Sequence, residues 1–339
     1  MTRHGDRTSR PASAATGDLE CSRKIRVDKL IYWNHHRARG GWRYVVDLIK
    51  DRFHHPDGVR FVGAIEDELL QGGPHCEGPI REPWVGFVHE VPRHQLNALD
   101  LERLLKGRLW QESVEYCRGV WSLTRYQIDY LRSHDVNVPM SHVYYPTDPP
   151  ALEFSYEKFV SNPARKLITV GAFLRNFQAI YDLTAPGYQK ALLLDEGIRR
   201  HMQKRGVVTN ESVLPLDRLS DDDYDRMFVD NLLFLNLLDA SANTTVVECI
   251  TRGTPILINK VGGVGEYLGA GYPLYYETLE EAARKAADLG LIKQASEYLA
   301  THPLRGKLNG DYFARAFCET AIYRALPLPE ATRRNEAAS

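Results

Sequence analysis

The residues best suited to chemistry lie in one stretch, Leu237 to Asn259. A buried strand ends at Asp239, and Ser241, Asn243, Thr244 and Thr245 then open a helix that stops at Gly253. Ser and Asn are strong helix N-caps, and the first turn of a helix carries N–H groups without intrahelical partners. With the positive end of the helix dipole, such a turn is a seat for phosphate or diphosphate, and small side chains let the anion reach the backbone. Glu248 lies four residues beyond Thr244 on the same helical face, where a carboxylate can accept hydrogen bonds from sugar hydroxyls. A capped helix with one solvated Glu accounts for the same residues, so the motif needs support from elsewhere. A second polar pair, His89-Glu90, directly follows the apolar run Trp84–Val88. The carboxyl end of a buried strand is where α/β proteins place ligands. His89 is accordingly a catalytic candidate, with Glu90 orienting it or serving as a base.

These residues need a frame, and the chain supplies an alternation of strands and helices. Lys29–Trp33 is an apolar, aromatic-rich run predicting a strand. A glycine-bearing loop follows, then a helical pattern in which Val45, Leu48, Ile49 and Phe53 recur at intervals of three and four. Further strands are predicted at Val59–Gly63, Trp84–Val88, Gly119–Leu123 and His142–Tyr145, with helices around 95–116 and 125–134. The proline-bearing Tyr145–Ala151 closes this half. In the second half strands are expected at Lys166–Val170, Ser212–Pro215, Leu232–Leu238 and Pro255–Ile258. Helices are expected across 187–205, 244–252 and 278–290, and through 292–326. The alternation predicts an α/β protein with two parallel sheets. Residues 1–26 read as a disordered tail, 27–150 as the first domain, 151–164 as a linker, 165–328 as the second domain and 329–339 as a frayed end. Two such domains hold a ligand in the cleft between the carboxyl ends of their strands.

The chain has 339 residues, 43 Lys+Arg against 44 Asp+Glu, and a formal net charge of -1, which gives no bulk electrostatic reason to bind nucleic acid. Its apolar runs fall short of the roughly 18 residues that span a bilayer. The five cysteines are scattered, odd in number and lack Cys-x-x-Cys spacing. That pattern predicts neither a disulfide framework nor a zinc site and suits a reducing, cytoplasmic setting. His35-His36 and His54-His55 do not fall at metal-ligand spacing, so no metal is expected. There is no Gly-x-Ser-x-Gly elbow for a nucleophilic hydrolase, and Arg39-Gly-Gly-Trp42 does not supply a dinucleotide fingerprint.

The order of the second-half pieces resembles the donor-binding half of GT-B glycosyltransferases, most closely the family 4 type. The pieces here are Asp239–Glu248, Gly253–Asn259 and the Gly-Gly loop Val261–Tyr267, with Leu219–Tyr224 resembling the segment before the donor-site strand. The resemblance is best over 166–285 and weaker over 29–150. It implies two Rossmann-like, doubly wound domains facing across a cleft. It also implies that Glu248 holds the nucleotide ribose. The family's partner Glu, eight positions earlier, is Ala240 here, with Asp239 one place out of register. Backbone N–H groups around Ser241–Thr245 are then left to hold the sugar. Val170–Asn176 resembles the segment that supplies an Arg to the donor diphosphate, giving Arg175 a binding and a catalytic role. The family's Lys soon after is missing, and Lys190 is the nearest replacement, although a solvated helix lysine reads equally well. Gly40-Gly41 resembles the glycine pair of the first loop, where substrate approaches the backbone, with His35, His36, Arg37 and Arg39 open to acceptor contact. His89 matches the His that many family members carry near the transferred sugar. Ser122, Thr124 and Arg125 resemble the Ser-bearing edge segment, with a structural or acceptor-side role.

The activity implied is transfer of a sugar from a nucleoside-diphosphate sugar, which is a co-substrate rather than a cofactor. The transfer would be retaining and metal-independent. The acceptor stays open between a saccharide, a small molecule and a lipid-linked carrier, the last bringing peripheral contact with a membrane. The alternative is a GT-B scaffold that binds nucleotide sugar or glycan without transfer. Epimerase chemistry on the same fold would need cleft carboxylates that the sequence does not identify.

Overall fold

The computed structural model describes residues 21–28, 41–70, 76–93, 99–217 and 219–329. Among these residues the first half forms a five-stranded parallel sheet in the order β1-β2-β3-β4-β5. Its strands are β1 (Ile25–Arg26), β2 (Val59–Val62), β3 (Trp84–Val88), β4 (Cys117–Ser122) and β5 (Met140–His142). The second half forms a six-stranded parallel sheet from β6 (Lys166–Thr169), β7 (Gln189–Leu193), β8 (Val213–Leu216), β9 (Leu232–Leu235), β10 (Ile256–Asn259) and β11 (Tyr275–Tyr276). Its order is β11-β10-β9-β6-β7-β8, so the winding reverses between β6 and β9. Strands covered on both faces read as continuous apolar runs, as in the fully buried Leu232–Leu235 of β9.

Three sequence expectations are corrected. Ile25–Arg26, assigned to the tail, is the edge strand paired with Val59–Arg60, and the strand expected at Lys29–Trp33 lies outside the described residues. The helix expected across 187–205 divides into β7 and a helix at Glu196–Lys204, capped by the Asp195 carboxylate accepting from Ile198 N–H. The apolar Ala191–Leu193 run is drawn into the sheet because β6 and β8 pair on either side of it. The helix expected around 95–116 is broken at Gly107 into Leu101–Lys106 and Arg108–Ser113.

The two halves also exchange elements. The linker carries a helix, Tyr156–Ser161, whose buried Phe159 stacks on Tyr188 of the second domain. The last helices, Gly310–Glu319 and Ala321–Ala325, cross back to the first domain. There Phe317 stacks on Phe87 with rings 13° from parallel and lies 4.5 Å from the Trp121 ring centroid, while Tyr323 meets Phe53 at 5.3 Å. The Trp121 indole N–H donates to Thr320 Oγ1 at 3.1 Å. The second domain therefore does not run unbroken to residue 328.

The crossing also overturns the expectation of unpaired cysteines. It brings Cys318 to Cys21, their Cα atoms 6.3 Å apart, and the two form a disulfide across 297 residues. A link of that span restricts the unfolded chain strongly, by about 2–5 kcal/mol in typical cases. Cys21→Ser, or reduction of the wild-type protein, is expected to lower the thermal midpoint correspondingly. Cys76→Ser, at a free cysteine, serves as the control and leaves it in place. Equal midpoints with and without reductant would refute the pairing.

Candidate active site

In an open parallel sheet, neighbouring strands on either side of the winding reversal send their following loops apart and leave a crevice at their carboxyl ends. Here that crevice lies beyond β6 and β9, and the two loops are tied across it. Leu238 N–H donates to Leu174 C=O at 3.0 Å and Asn176 N–H to Asn236 C=O at 2.8 Å. Leu174 takes a positive φ of 54° to make the turn.

The turn throws Arg175 back over the crevice. Its Nε donates to Val170 C=O at 3.1 Å and Nη1 to Phe173 C=O at 2.9 Å. Nη2 reaches Thr245 Oγ1 at 3.2 Å and Asn243 Oδ1 at 3.4 Å. Gly171 makes room: its φ is +79°, and a β-carbon there would lie 2.9 Å from Arg175 Nη2. Burial lowers the guanidinium pKa to about 10, which leaves it charged at neutral pH. Asn243 caps the Thr244–Arg252 helix, accepting from Val246 N–H at 3.3 Å. Arg175, Asn243 and Thr245 are thus brought together, with Thr244 opening the helix between the last two, a cation against a helix N-terminus that can both address one anion.

Glu248 lies one turn further on, buried. Its Oε2 accepts from the Tyr224 hydroxyl at 3.1 Å, and its Oε1 is 3.8 Å from Arg252 Nη1. Arg252 in turn donates to Asp225 at 2.7 Å and lies over the Phe228 ring. The sequence reading missed this frame, although Tyr224, Asp225 and Phe228 at helical spacing were its signal. Lys190 does not join the site. It sits near the amino end of β7, and its ammonium donates to the carbonyls of Tyr181 and Leu183 at 3.0 and 2.8 Å, closing the end of the Gln178–Asp182 helix. As a strand residue at the opposite sheet edge from the crevice it has no route to the donor.

On the first domain, Gly40 and residues 35–39 lie outside the described residues. Gly41 is the N-cap of the Trp42–Phe53 helix in extended geometry. The His89 ring packs edge-on to Trp42 at 4.0 Å, and its Nε2 is 3.0 Å from Gly63 C=O, which also accepts from the Trp42 indole N–H. That contact places the proton on Nε2 and the lone pair on Nδ1, and burial lowers the ring pKa to about 4. Behind His89 stands Glu66, fully buried on the short Ile65–Leu69 helix. Its Oε1 accepts from the N–H groups of His89 and Glu90 at 2.8 and 2.9 Å. The sequence reading missed Glu66, since Ile65-Glu-Asp-Glu-Leu69 reads as a solvated charge run.

The carboxyl edges of the two sheets meet. Ser241 Oγ donates to His89 C=O at 2.8 Å, and the Tyr126 hydroxyl donates to Asp239 at 2.9 Å. The Glu266 carboxylate caps the Arg125–Ser133 helix, accepting from Arg125 and Tyr126 N–H at 2.6 and 2.7 Å. Gly262, at φ +47°, folds over the Asp239–Ala240 turn, and Gly263 lies against Thr124. Ser122 and Thr124 bond to Gln127, a structural role. Among the described residues no group of three or more His, Cys, Asp or Glu is placed to hold a metal ion, and no helix is long and apolar enough to cross a membrane.

Two substitutions separate structural from ligand-binding residues. Arg252→Ala leaves Asp225 buried without its countercharge and is expected to cost about 3–5 kcal/mol in chemical denaturation. Lys190→Met is expected to lower stability while leaving nucleoside-diphosphate affinity unchanged in calorimetry. A matching loss of affinity would return Lys190 to the donor site.

No family model matches the sequence, and no curated protein matches it. Among solved structures the chain is similar to a UDP-forming α,α-trehalose-phosphate synthase from Burkholderia xenovorans. The TM-score is 0.52 at 15% identity, over 84% of this chain and 78% of that one. It is similar to TarM with a TM-score of 0.54 at 11% identity, over 84% and 57%. A third similar structure is a point mutant of S. aureus TarM in complex with fondaparinux, alpha-GlcNAc-glycerol and UDP, with a TM-score of 0.50 at 10% identity, over 72% and 51%. The chain spans little more than half the length of the TarM structures. At these identities the likeness is one of architecture, and the two facing parallel sheets with the crevice at the second sheet's winding reversal are the GT-B fold.

Proposed function

We propose that the protein is a glycosyltransferase that moves a sugar from a nucleoside-diphosphate sugar onto a saccharide, small-molecule or lipid-linked acceptor, without metal and with retention at the anomeric carbon. The observation that carries this reading is Arg175 folded onto the Asn243-capped helix at the winding reversal. The trehalose-phosphate synthase forms UDP and the TarM mutant was bound to UDP, so UDP-sugars are the first donors to test.

In this reading the diphosphate sits between the guanidinium and the first-turn N–H groups of the Thr244–Arg252 helix. Both are in place before reaction and neutralise charge as the diphosphate departs. Glu248, oriented by Tyr224 and Arg252, accepts from the ribose hydroxyls. Ser241 and His89, already in contact, mark where sugar and acceptor meet when the domains close around them. Asp239 accepts from Ala240 N–H at 2.7 Å and from the Tyr126 hydroxyl, which argues against its serving as a covalent nucleophile and favours retention by front-side attack.

The engagement of Asp239, with Ala240 where the family has a Glu, also favours a second reading, a scaffold that binds nucleotide sugar without transfer. Incubation with a panel of nucleotide sugars and acceptor extracts separates the two. Transfer or donor hydrolysis is expected, and Arg175→Ala is expected to slow it about 100- to 1000-fold, the usual cost of removing one preorganised donor from a developing oxyanion. Tight UDP binding with no turnover would establish the scaffold instead. Anomeric NMR of the product tests retention, and full activity in EDTA tests metal independence.

A further inference from the structure

We propose that Glu66 is a positioning residue for the transfer reaction, holding the His89–Glu90 peptide so that its carbonyl, and not its N–H, faces the opposing domain. The inference rests on the glycosyltransferase reading above.

The two peptides form a crosspiece at the carboxyl edge of the first sheet. Both N–H groups point back to one oxygen, Oε1 of Glu66, at 2.8 and 2.9 Å. The carbonyls of the two residues have other partners. That of His89 accepts from Ser241 Oγ of the second domain at 2.8 Å, and that of Glu90 accepts from Gln127 Nε2 at 2.9 Å. Gln127 is itself fixed, its Oε1 accepting from the hydroxyls of Ser122 and Thr124 at 2.7 and 3.0 Å. The Glu90 N–H and the His89 C=O belong to one planar peptide, so anchoring the first on Glu66 fixes the direction of the second. Glu66 thereby decides which hydrogen-bonding edge the cleft receives, and sets the backbone from which the His89 ring reaches Gly63 and Trp42.

Glu66 is also an expensive way to hold two N–H groups. The residue is fully buried, and its second oxygen, Oε2, has no hydrogen-bond partner among the described residues. Burial and the neighbouring Glu90 raise its pKa to about 8, so the carboxyl is neutral at physiological pH. In that form its carbonyl oxygen accepts from the two amides and its hydroxyl stays on Oε2. The charged groups around it are Glu90 on the segment after β3, and Asp67 and Glu68 on its own helix. Glu68 pairs with Arg60 of β2 at 2.9 Å. The packed Leu101–Lys106 helix brings Asp100, Glu102, Arg103 and Lys106, with Glu102 bonded to Arg93 and Lys106. Ionisation above about pH 8 would strengthen the hold on the two amides while setting a second charge beside Glu90.

Glu66→Gln and Glu66→Leu test the proposal. The Gln carbonyl can take both N–H groups, whereas Leu can take neither. With the wild type active on a nucleotide sugar, Glu66→Gln is expected to keep kcat within about threefold. Glu66→Leu is expected to lower kcat at least 50-fold with donor KM changed less than threefold. Amide exchange at His89 and Glu90 reads the positioning without turnover: slow in the wild type and in Glu66→Gln, fast in Glu66→Leu. Wild-type kcat in Glu66→Leu, a kcat loss in Glu66→Gln as deep as in Glu66→Leu, or fast exchange at both amides in the wild type would overturn the proposal. Slow wild-type exchange with no transfer from any nucleotide sugar would instead overturn the glycosyltransferase reading, and the catalytic side of this one with it.

Discussion

The reversal of winding between β6 and β9 is the constraint on which the candidate site depends. Paired side by side, these strands must send their following chains to opposite faces of the sheet, and a parallel sheet has no other means of opening a crevice at its centre. The protein ties the crevice rim with backbone hydrogen bonds from Leu174–Asn176 to Asn236–Leu238. It accepts a left-handed Leu174 to do so, a conformation costing about 1–2 kcal/mol for a residue with a β-carbon. That turn delivers Arg175 to the first turn of the Thr244–Arg252 helix, and Gly171 exists where it does because the guanidinium passes within reach of its missing side chain. A strained turn, a glycine, a capped helix and a buried cation all follow from one exchange of strand order.

How much of this could be read in the sequence follows from how local each feature is. β3, β9 and β10 are continuous apolar runs, and their place in a parallel sheet was legible, although β9 ends at Leu235, three residues short of the expected Leu238. The N-cap chemistry of Asn243 was legible too, because it acts within a few residues of itself, whereas Arg175, which acts on Asn243 and Thr245 some 70 residues away, was signalled through the family resemblance. β7 was not, since Gln189–Leu193 has nothing against a helix until β6 and β8 flank it, and the misreading of Lys190 follows directly. On a helix that lysine would be solvated and mobile enough to reach a phosphate; on a strand it is fixed at the wrong edge of the sheet. The Cys21–Cys318 bond was illegible for a related reason. It depends on the last helices crossing to the first domain, and no periodicity announces which sheet a helix will cover.

Buried charge has two distinct uses in this molecule. The Arg252, Asp225, Glu248 and Tyr224 cluster is a paired network in which each charge has a partner, and its product is a carboxylate held in a single orientation at the end of the anion seat. Pairing of this kind often adds little net stability, because desolvating each ion offsets much of the attraction; its contribution is to direction. Glu66 achieves direction by the opposite route, giving up its charge so that one neutral oxygen can serve two amides. In the proposed reading the first arrangement preserves an ion for a ligand's hydroxyls, and the second removes an ion from behind a reacting group.

The contacts between the domains fall into two classes, and their chemistry differs in a way that bears on motion. On one side lie the stacked rings of Phe87, Trp121 and Phe317 and the buried Tyr323. There the two crossings of the chain are joined by Thr147 N–H donating to Leu308 C=O at 3.0 Å. Separating these surfaces would expose large aromatic area. Facing the cleft, by contrast, the contacts are hydrogen bonds of Ser241, Tyr126, Glu266 and Tyr267 to the opposite domain. A neutral bond of this kind is worth a net amount of about 0.5–1.5 kcal/mol, and one to a carboxylate, as at Asp239 and Glu266, about 1.5–3 kcal/mol. An apolar stack that resists parting beside polar contacts that exchange readily with water is the composition of a hinge and a mouth. Opening is therefore cheapest at the carboxyl edges, where Arg175, the Asn243-capped helix and the His89 crosspiece converge.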